Sequence, residues 1–233
     1  MIPNLTNSMM YRPPTFSLLP PVVKNLLIIN GLFYLATVVL QSQGLDLIAY
    51  LALFFPASPF FEPYQLISHL FMHGSFGHLF SNMLALWMFG TPMENLWGPK
   101  RFLTYYFVTG LGAAACHLAV NAWDYSQWLS LANLGDYNAA VYLEQVRSTP
   151  TVGASGAVFG LLLAYGMTFP NQEIYVYFLL PIKAKYFVAI YGLFELFSGL
   201  SNSGSNIAHF AHLGGMLFGF LLIRHWRKNA FRF

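Results

Sequence analysis

Charge is what this 233-residue sequence has least of: Asp, Glu, Lys and Arg together make up 8% of it, against roughly 25% in an ordinary soluble domain. Hydrophobic residues make up 57% and the mean hydropathy is +0.54, which excludes a water-soluble globule and makes a membrane the expected solvent. Cysteine is nearly absent as well. With Cys116 alone, neither an intrachain disulfide nor a cysteine metal cluster can form. Internal repeats, charge blocks and low-complexity linkers are lacking too, which argues for one membrane domain with short tails. The net charge of +3 is explained by topology, so nucleic acid is not an expected partner.

Long apolar runs are abundant. A bilayer-spanning helix needs about 20 mainly apolar residues, and six stretches qualify: 25–42, 77–97, 102–122, 153–169, 183–200 and 206–224. The segment before the first is too long and proline-rich for a secretory leader, so that stretch reads as a retained helix. Basic residues collect on cytoplasmic loops, and here they alternate. Arg12 and Lys24 precede the first stretch, Lys100 and Arg101 separate the second and third, Lys183 and Lys185 the fourth and fifth, and Arg224, Arg227, Lys228 and Arg232 follow the sixth; Arg147 alone falls on the other side. The expected fold is therefore an all-α, polytopic six-helix bundle with both termini cytoplasmic: a tail at 1–24, a membrane domain at 25–224 and a tail at 225–233. Residues 43–75, apolar but broken by Pro56, Pro59 and Pro63, read as an interfacial loop. Residues 123–150 read as a second long extracytoplasmic loop, with "YNAAVYLEQV" as a short surface helix.

Polar groups inside a bilayer are costly and normally face a bundle interior or a wet cavity. His78 and Asn82 are four residues apart, on one face of the second helix. Ser155 opens the fourth, where backbone N–H groups lack helical partners and the helix dipole is positive. His209 and His212 lie in the first two turns of the sixth. At about 1.5 Å per residue, Ser155 and His212 both fall within roughly 10 Å of the same surface. A packing reading competes with this one. Gly156 to Gly160 and Gly215 to Gly219 have the spacing of close helix contacts in membranes, and by itself "TVGASGAVFG" reads as such a contact. His69, His73, His117 and His225 read as structural, interfacial or solvated. What favours chemistry is that a hydroxyl, an imidazole and hydrogen-bond donors reach one depth, as a serine nucleophile requires.

These residues resemble the rhomboid family of intramembrane serine proteases from about residue 60 to 224. "GASG" matches its G-x-S-G, "AHLGG" its A-H-x-x-G, "HGSFGHLFSNM" its H-x-x-x-x-H-x-x-x-N, and "MENLWG" its E-x-x-x-G element. The resemblance implies Ser155 as nucleophile and His212, not His209, as its base. It assigns oxyanion stabilisation to His78, Asn82 and the Ser155 backbone N–H, and gives Glu94 an anchoring role in the adjoining loop. Two positions depart from the pattern: Tyr64 replaces a common tryptophan, and Phe159 replaces a tyrosine that stacks on the histidine, leaving a ring that can still support the imidazole.

The implied activity is serine endopeptidase cleavage of transmembrane segments through a Ser155–His212 dyad. A dyad is expected because no carboxylate accompanies His212 in its helix, and Glu195 is placed at mid-depth or deeper without a catalytic role. Expected partners are transmembrane protein substrates and membrane lipid, with no cofactor and no metal. The expected location is the plasma membrane of a bacterium, with the site opening to the extracytoplasmic side. Two alternatives stand: a non-catalytic rhomboid-like client-binding protein, and a metal-dependent membrane oxidoreductase using His69, His73, His78, His209 and His212.

Overall fold

The computed structural model describes residues 16–176, 179–201 and 206–230, so Arg12 and Arg232 of the basic pattern lie outside the described residues. In chain order the helices are α1 (Pro21–Gln41), α2 (Leu47–Leu51), α3 (Gln65–Ser68), α4 (Phe76–Ala85), α5 (Thr91–Trp97), α6 (Pro99–Asn133), α7 (Tyr137–Ser148), α8 (Ser155–Thr168), α9 (Ala184–Leu200) and α10 (Asn206–Ala230). A 3-10 turn, His69–Phe71, follows α3, and a π-helical turn, Leu86–Gly90, joins α4 to α5. That union makes residues 76–97 one helical run, about 33 Å long at 1.5 Å per residue. By length and composition, α1 and α6 are each apolar enough to cross a membrane, and α8 is a shorter apolar helix.

The described chain is mostly helical, in line with the expected helical fold, with one departure. Between α8 and α9, strands β1 (Glu173–Val176) and β2 (Leu180–Lys183) form an antiparallel hairpin, with Glu173 opposite Lys183 and Ile174 opposite Ile182. Pro170 and Pro181 oppose helix in this segment, while Ile174, Tyr175 and Val176 favour a strand. The third helix is also longer than expected. Residues 121–133 contain neither proline nor glycine, so α6 runs on to Asn133, and Gly135, at φ 89°, closes it. With α7 capped by Asp136, whose carboxylate accepts from Ala139 N at 3.1 Å, the expected loop at 123–150 is largely helical.

Helices α6, α8 and α10 form the centre of the molecule. Tyr105 and Phe102 of α6, and Ala157 and Leu161 of α8, are fully buried, and the Tyr105 hydroxyl donates to the Gly160 carbonyl at 2.8 Å. The helix α9 packs one stripe inward, Ala184, Val188, Glu195 and Gly199, and exposes Ile190, Leu193, Phe194 and Phe197. Large exposed aliphatic and aromatic faces of this kind suit contact with lipid rather than water.

One end of the bundle gathers the start of α1, the α5–α6 junction and the ends of α8 and α10. Asn95 exchanges hydrogen bonds with Ser17, Trp97 meets Trp226 edge-on at 5.6 Å, and Arg227 donates to the Met167 carbonyl at 3.2 Å. Glu94 is buried here. Its two carboxylate oxygens accept from Val22 N at 2.9 Å and Val23 N at 2.8 Å, so it caps the first turn of α1 across some 70 residues of sequence. The expected anchoring of the adjoining loop is thus corrected to anchoring of α1, whose leading N–H groups have no helical acceptor of their own. Replacing Glu94 by Ala is expected to cost about 3 kcal/mol, since it strands one buried and one part-buried donor that now bond a carboxylate. Denaturant titration of the reconstituted protein, with far-UV CD as readout, checks this.

Candidate active site

The opposite end holds the polar residues singled out in the sequence. His78, Asn82, Ser155, Phe159 and His212 all line one cavity of about 310 Å³ between α4, α8, α9 and α10, together with Phe89, Phe187 and Tyr191. Within it, Ser155 Oγ lies 2.9 Å from His212 Nε2. The His212 ring is stacked on Phe159, centroid to centroid 4.0 Å and 5° from parallel, and Phe159 stacks in turn on Tyr191 at 5.3 Å. Stacking on Phe159, itself backed by Tyr191, favours one orientation of the imidazole plane. The first position of α8 gives Ser155 a backbone N–H with no helical acceptor, which is a donor available to an anion at the same place.

The lead-in to α8 is held by the segment 43–75. Leu53 and Thr151 form an antiparallel bridge, with N–H···O distances of 2.9 and 2.8 Å, and Gly153 N donates to the His69 carbonyl at 2.9 Å. The Thr151 hydroxyl and the Asn121 amide nitrogen lie 2.7 and 3.2 Å from His117 Nε2, tying the same strand of chain to α6. The greasy loop of the sequence is therefore a scaffold for the serine: Ala52, Leu53, Phe54 and Phe55 are buried in it, and the Gln65 side chain bonds Tyr50, Phe54, Phe60 and Glu62.

Gly153 is required twice over. Its φ of 121° is one that side-chain-bearing residues rarely adopt, and a Cβ there would sit 2.8 Å from the His78 ring. His78 is placed by the first turn of α4, where Ser75 Oγ accepts from its backbone N–H at 3.1 Å, and its ring meets His73 edge-on at 5.1 Å. Asn82 is buried, and one of its amide hydrogens goes to the His78 carbonyl at 2.9 Å. The amide group carries a second donor, and the residue faces the cavity.

The placing of Glu195 at mid-depth or deeper is corrected. Helix α9 ends at Leu200, so Glu195 is little more than a turn from its outer end, level with the first turns of α10. Its Oε2 accepts a hydrogen bond from His209 Nδ1 at 2.6 Å and lies 3.1 Å from His212 Nδ1. The second contact is an ion-pair distance, off the line of a well-formed hydrogen bond. The sequence did carry a signal for it: Glu195 is the one carboxylate inside an apolar stretch rather than near its edge, and such groups seldom lack a partner.

His69 and His73 lie before α4, outside this cavity. Desolvation by burial holds both imidazoles well below their ordinary range, at about 4, so each is neutral at pH 7. Among the described residues no group of three or more His, Cys, Asp or Glu is arranged to hold a metal ion, and the five histidines of the oxidoreductase alternative do not converge on one point.

A family model described as the Rhomboid domain matches residues 61–228. The chain is similar to RHOMBOID-like protein 12, mitochondrial, of Arabidopsis thaliana, 29% identical over 73% of this chain and 48% of that protein. It is similar to Rhomboid protein 1, mitochondrial, of Saccharomyces cerevisiae, 31% identical over 67% of this chain and 40% of that one. A third relative is Rhomboid protease GluP of Bacillus subtilis, 29% identical over 68% of this chain and 25% of that one. The chain thus spans half or less of the length of these relatives. Two of the three carry mitochondrial names, so the expected bacterial plasma membrane receives no support; an integral membrane location is what the family carries.

Two outcomes are expected from this geometry. Gly153→Ala should fold with a thermal stability lower by about 1–2 kcal/mol, the cost of an L-residue in that backbone region, measured by thermal melts in detergent. Because the folded-state pKa values of His69 and His73 lie below the unfolded value of 6.5, the unfolded chain binds protons first, and the stability these two groups contribute is lost as pH falls from 6.5 toward 4. In melts at pH 7 and pH 5, His73→Phe should show a smaller difference than the wild type.

Proposed function

The chain belongs to the rhomboid family, and from that premise we propose that it is an intramembrane serine endopeptidase acting through Ser155 and His212. The observation that carries this reading is the 2.9 Å contact from Ser155 Oγ to His212 Nε2, on an imidazole clamped flat against Phe159. The neutral imidazole takes the Ser155 proton at Nε2 as Oγ attacks the peptide carbonyl, and returns it to the leaving amine. The oxyanion is received by the Ser155 N–H, the free hydrogen of the Asn82 amide and the His78 ring. Water then hydrolyses the acyl-enzyme at Ser155, with His212 as base again.

Six spans are proposed for the membrane domain at 25–224: α1, the run 76–97, α6, α8, α9 and α10. Both termini are placed on the side that gathers Lys24, Lys100, Arg101 and Arg227, in keeping with the distribution of basic residues. The cavity then opens near the opposite surface, where water can enter. Substrates are transmembrane segments that unwind locally, because a scissile amide inside an intact helix is hydrogen-bonded and shielded. Arg224, Arg227 and Lys228 meet lipid headgroups at the other face.

Cleavage of a single-span substrate by the reconstituted protein, with chelator present, tests this reading. Ser155→Ala and His212→Ala, each folded, are expected to lose activity by about 10³-fold or more, and a fluorophosphonate should label Ser155 in the wild type only. A wild type that neither cuts a varied substrate panel nor takes the label would overturn it in favour of client binding without catalysis.

A further inference from the structure

A buried carboxylate on a lipid-facing helix needs a reason, since ionisable groups in such helices are costly. Glu195 is 4% exposed, and α9 otherwise turns only Ala184, Val188 and Gly199 fully inward. Its Oε2 reaches two histidines of α10, 2.6 Å to His209 Nδ1 and 3.1 Å to His212 Nδ1. The other ring nitrogen of His212 is the one that faces Ser155. A chain of contacts therefore runs from carboxylate through imidazole to hydroxyl, contributed by α9, α10 and α8.

We propose that Glu195 is a positioning residue for His212, holding the proton on Nδ1 so that Nε2 stays free toward Ser155, and stabilising the imidazolium that forms when Nε2 takes the serine proton. The proposal rests on the Ser155–His212 reading and adds a third member to it. The proton moves from Ser155 Oγ to His212 Nε2 and later to the leaving amine; Glu195 keeps its charge beside Nδ1 throughout and takes no proton. A neutral imidazole has two tautomers, and only the one protonated at Nδ1 can act as base on Ser155. A carboxylate 3.1 Å from Nδ1 favours that tautomer and the cation alike.

The same carboxylate is shared. His209 lies closer to Oε2 than His212 does, fixing the carboxylate's position and competing for its charge. Other titratable groups around the pair are His78 of α4 across the cavity, Tyr191 one turn back along α9, and Asp124 of α6 beside Gly199. Only His209 and His212 make ion-pair contacts with Glu195 among the described residues.

The test is the pH dependence of fluorophosphonate labelling of Ser155 in the full-length reconstituted protein, a readout independent of substrate docking. Glu195→Gln is expected to slow labelling at neutral pH by about 10–100-fold, to move the acid limb of the profile to lower pH, and to reduce kcat for a membrane substrate with little change in KM. Glu195→Asp, which keeps the charge, should restore the limb in part. His209→Phe removes the competitor and should move the limb to higher pH, so it carries the test alone if Glu195→Gln does not fold. A folded Glu195→Gln with the wild-type rate and limb, or an unmoved limb in His209→Phe, would overturn the proposal while leaving the dyad intact. Wild-type protein that never labels would instead remove the reading beneath it.

Discussion

Backbone contact between α8 and α10 is the constraint on which the site depends. A Cβ on Gly215 would overlap the Gly156 carbonyl oxygen, and a Cβ on Gly156 would overlap the Ala113 methyl group of α6, so at this level α8 and α10 meet backbone to backbone and α8 meets α6 across a single methyl group. In a bilayer, where apolar side chains gain little by leaving lipid, such close approach is a main source of helix association. Ser155 is the residue before Gly156, and His212 lies three residues before Gly215. A contact set by backbone atoms thereby fixes two side chains at hydrogen-bond distance, with no freedom for the helices to drift apart by a rotamer change.

Around that contact the chain supplies rigidity from outside and electrostatics from inside. The 43–75 segment holds residues 151–153 through three backbone hydrogen bonds, so the serine enters its helix from a fixed direction. Phe159 and Tyr191 hold the plane of the imidazole. Glu195 and His209 then set the polarity at its far nitrogen. At the other end, Glu94 caps α1 and brings its first turn against α5, so that the two ends are stabilised by different means: charge-assisted capping at the basic end, and glycine packing with hydrogen bonds at the cavity.

Much of this was legible in the sequence because its signals are local. Apolar runs marked the helices, and the shared depth of Ser155, His212, His78 and Asn82 followed from helix rise and alternation of direction. In "GASG" close packing and the cavity adjoin: Gly156 packs against α6 and α10 while its neighbour Ser155 faces the cavity. What was not legible depended on element ends and on pairing across long separations. The hairpin between α8 and α9 hid in a mixed segment, α6 ran past its apolar window because nothing in residues 121–133 breaks a helix, and Glu94 found its partners some 70 residues upstream. Glu195 was misplaced for the same reason: its depth depends on where α9 stops, and its partners sit on another helix.

The most direct test of the account is to loosen the glycine contact alone. Gly215→Ala adds one methyl group where the Gly156 carbonyl now sits and touches neither Ser155 nor His212. The rate of fluorophosphonate labelling at Ser155 should fall at least about tenfold in protein that retains its helix content, because a shift of about 1 Å between positioned groups is already costly to reaction. An unchanged labelling rate in the folded variant would contradict the account, since the serine and histidine would then be held together by something other than backbone contact between α8 and α10.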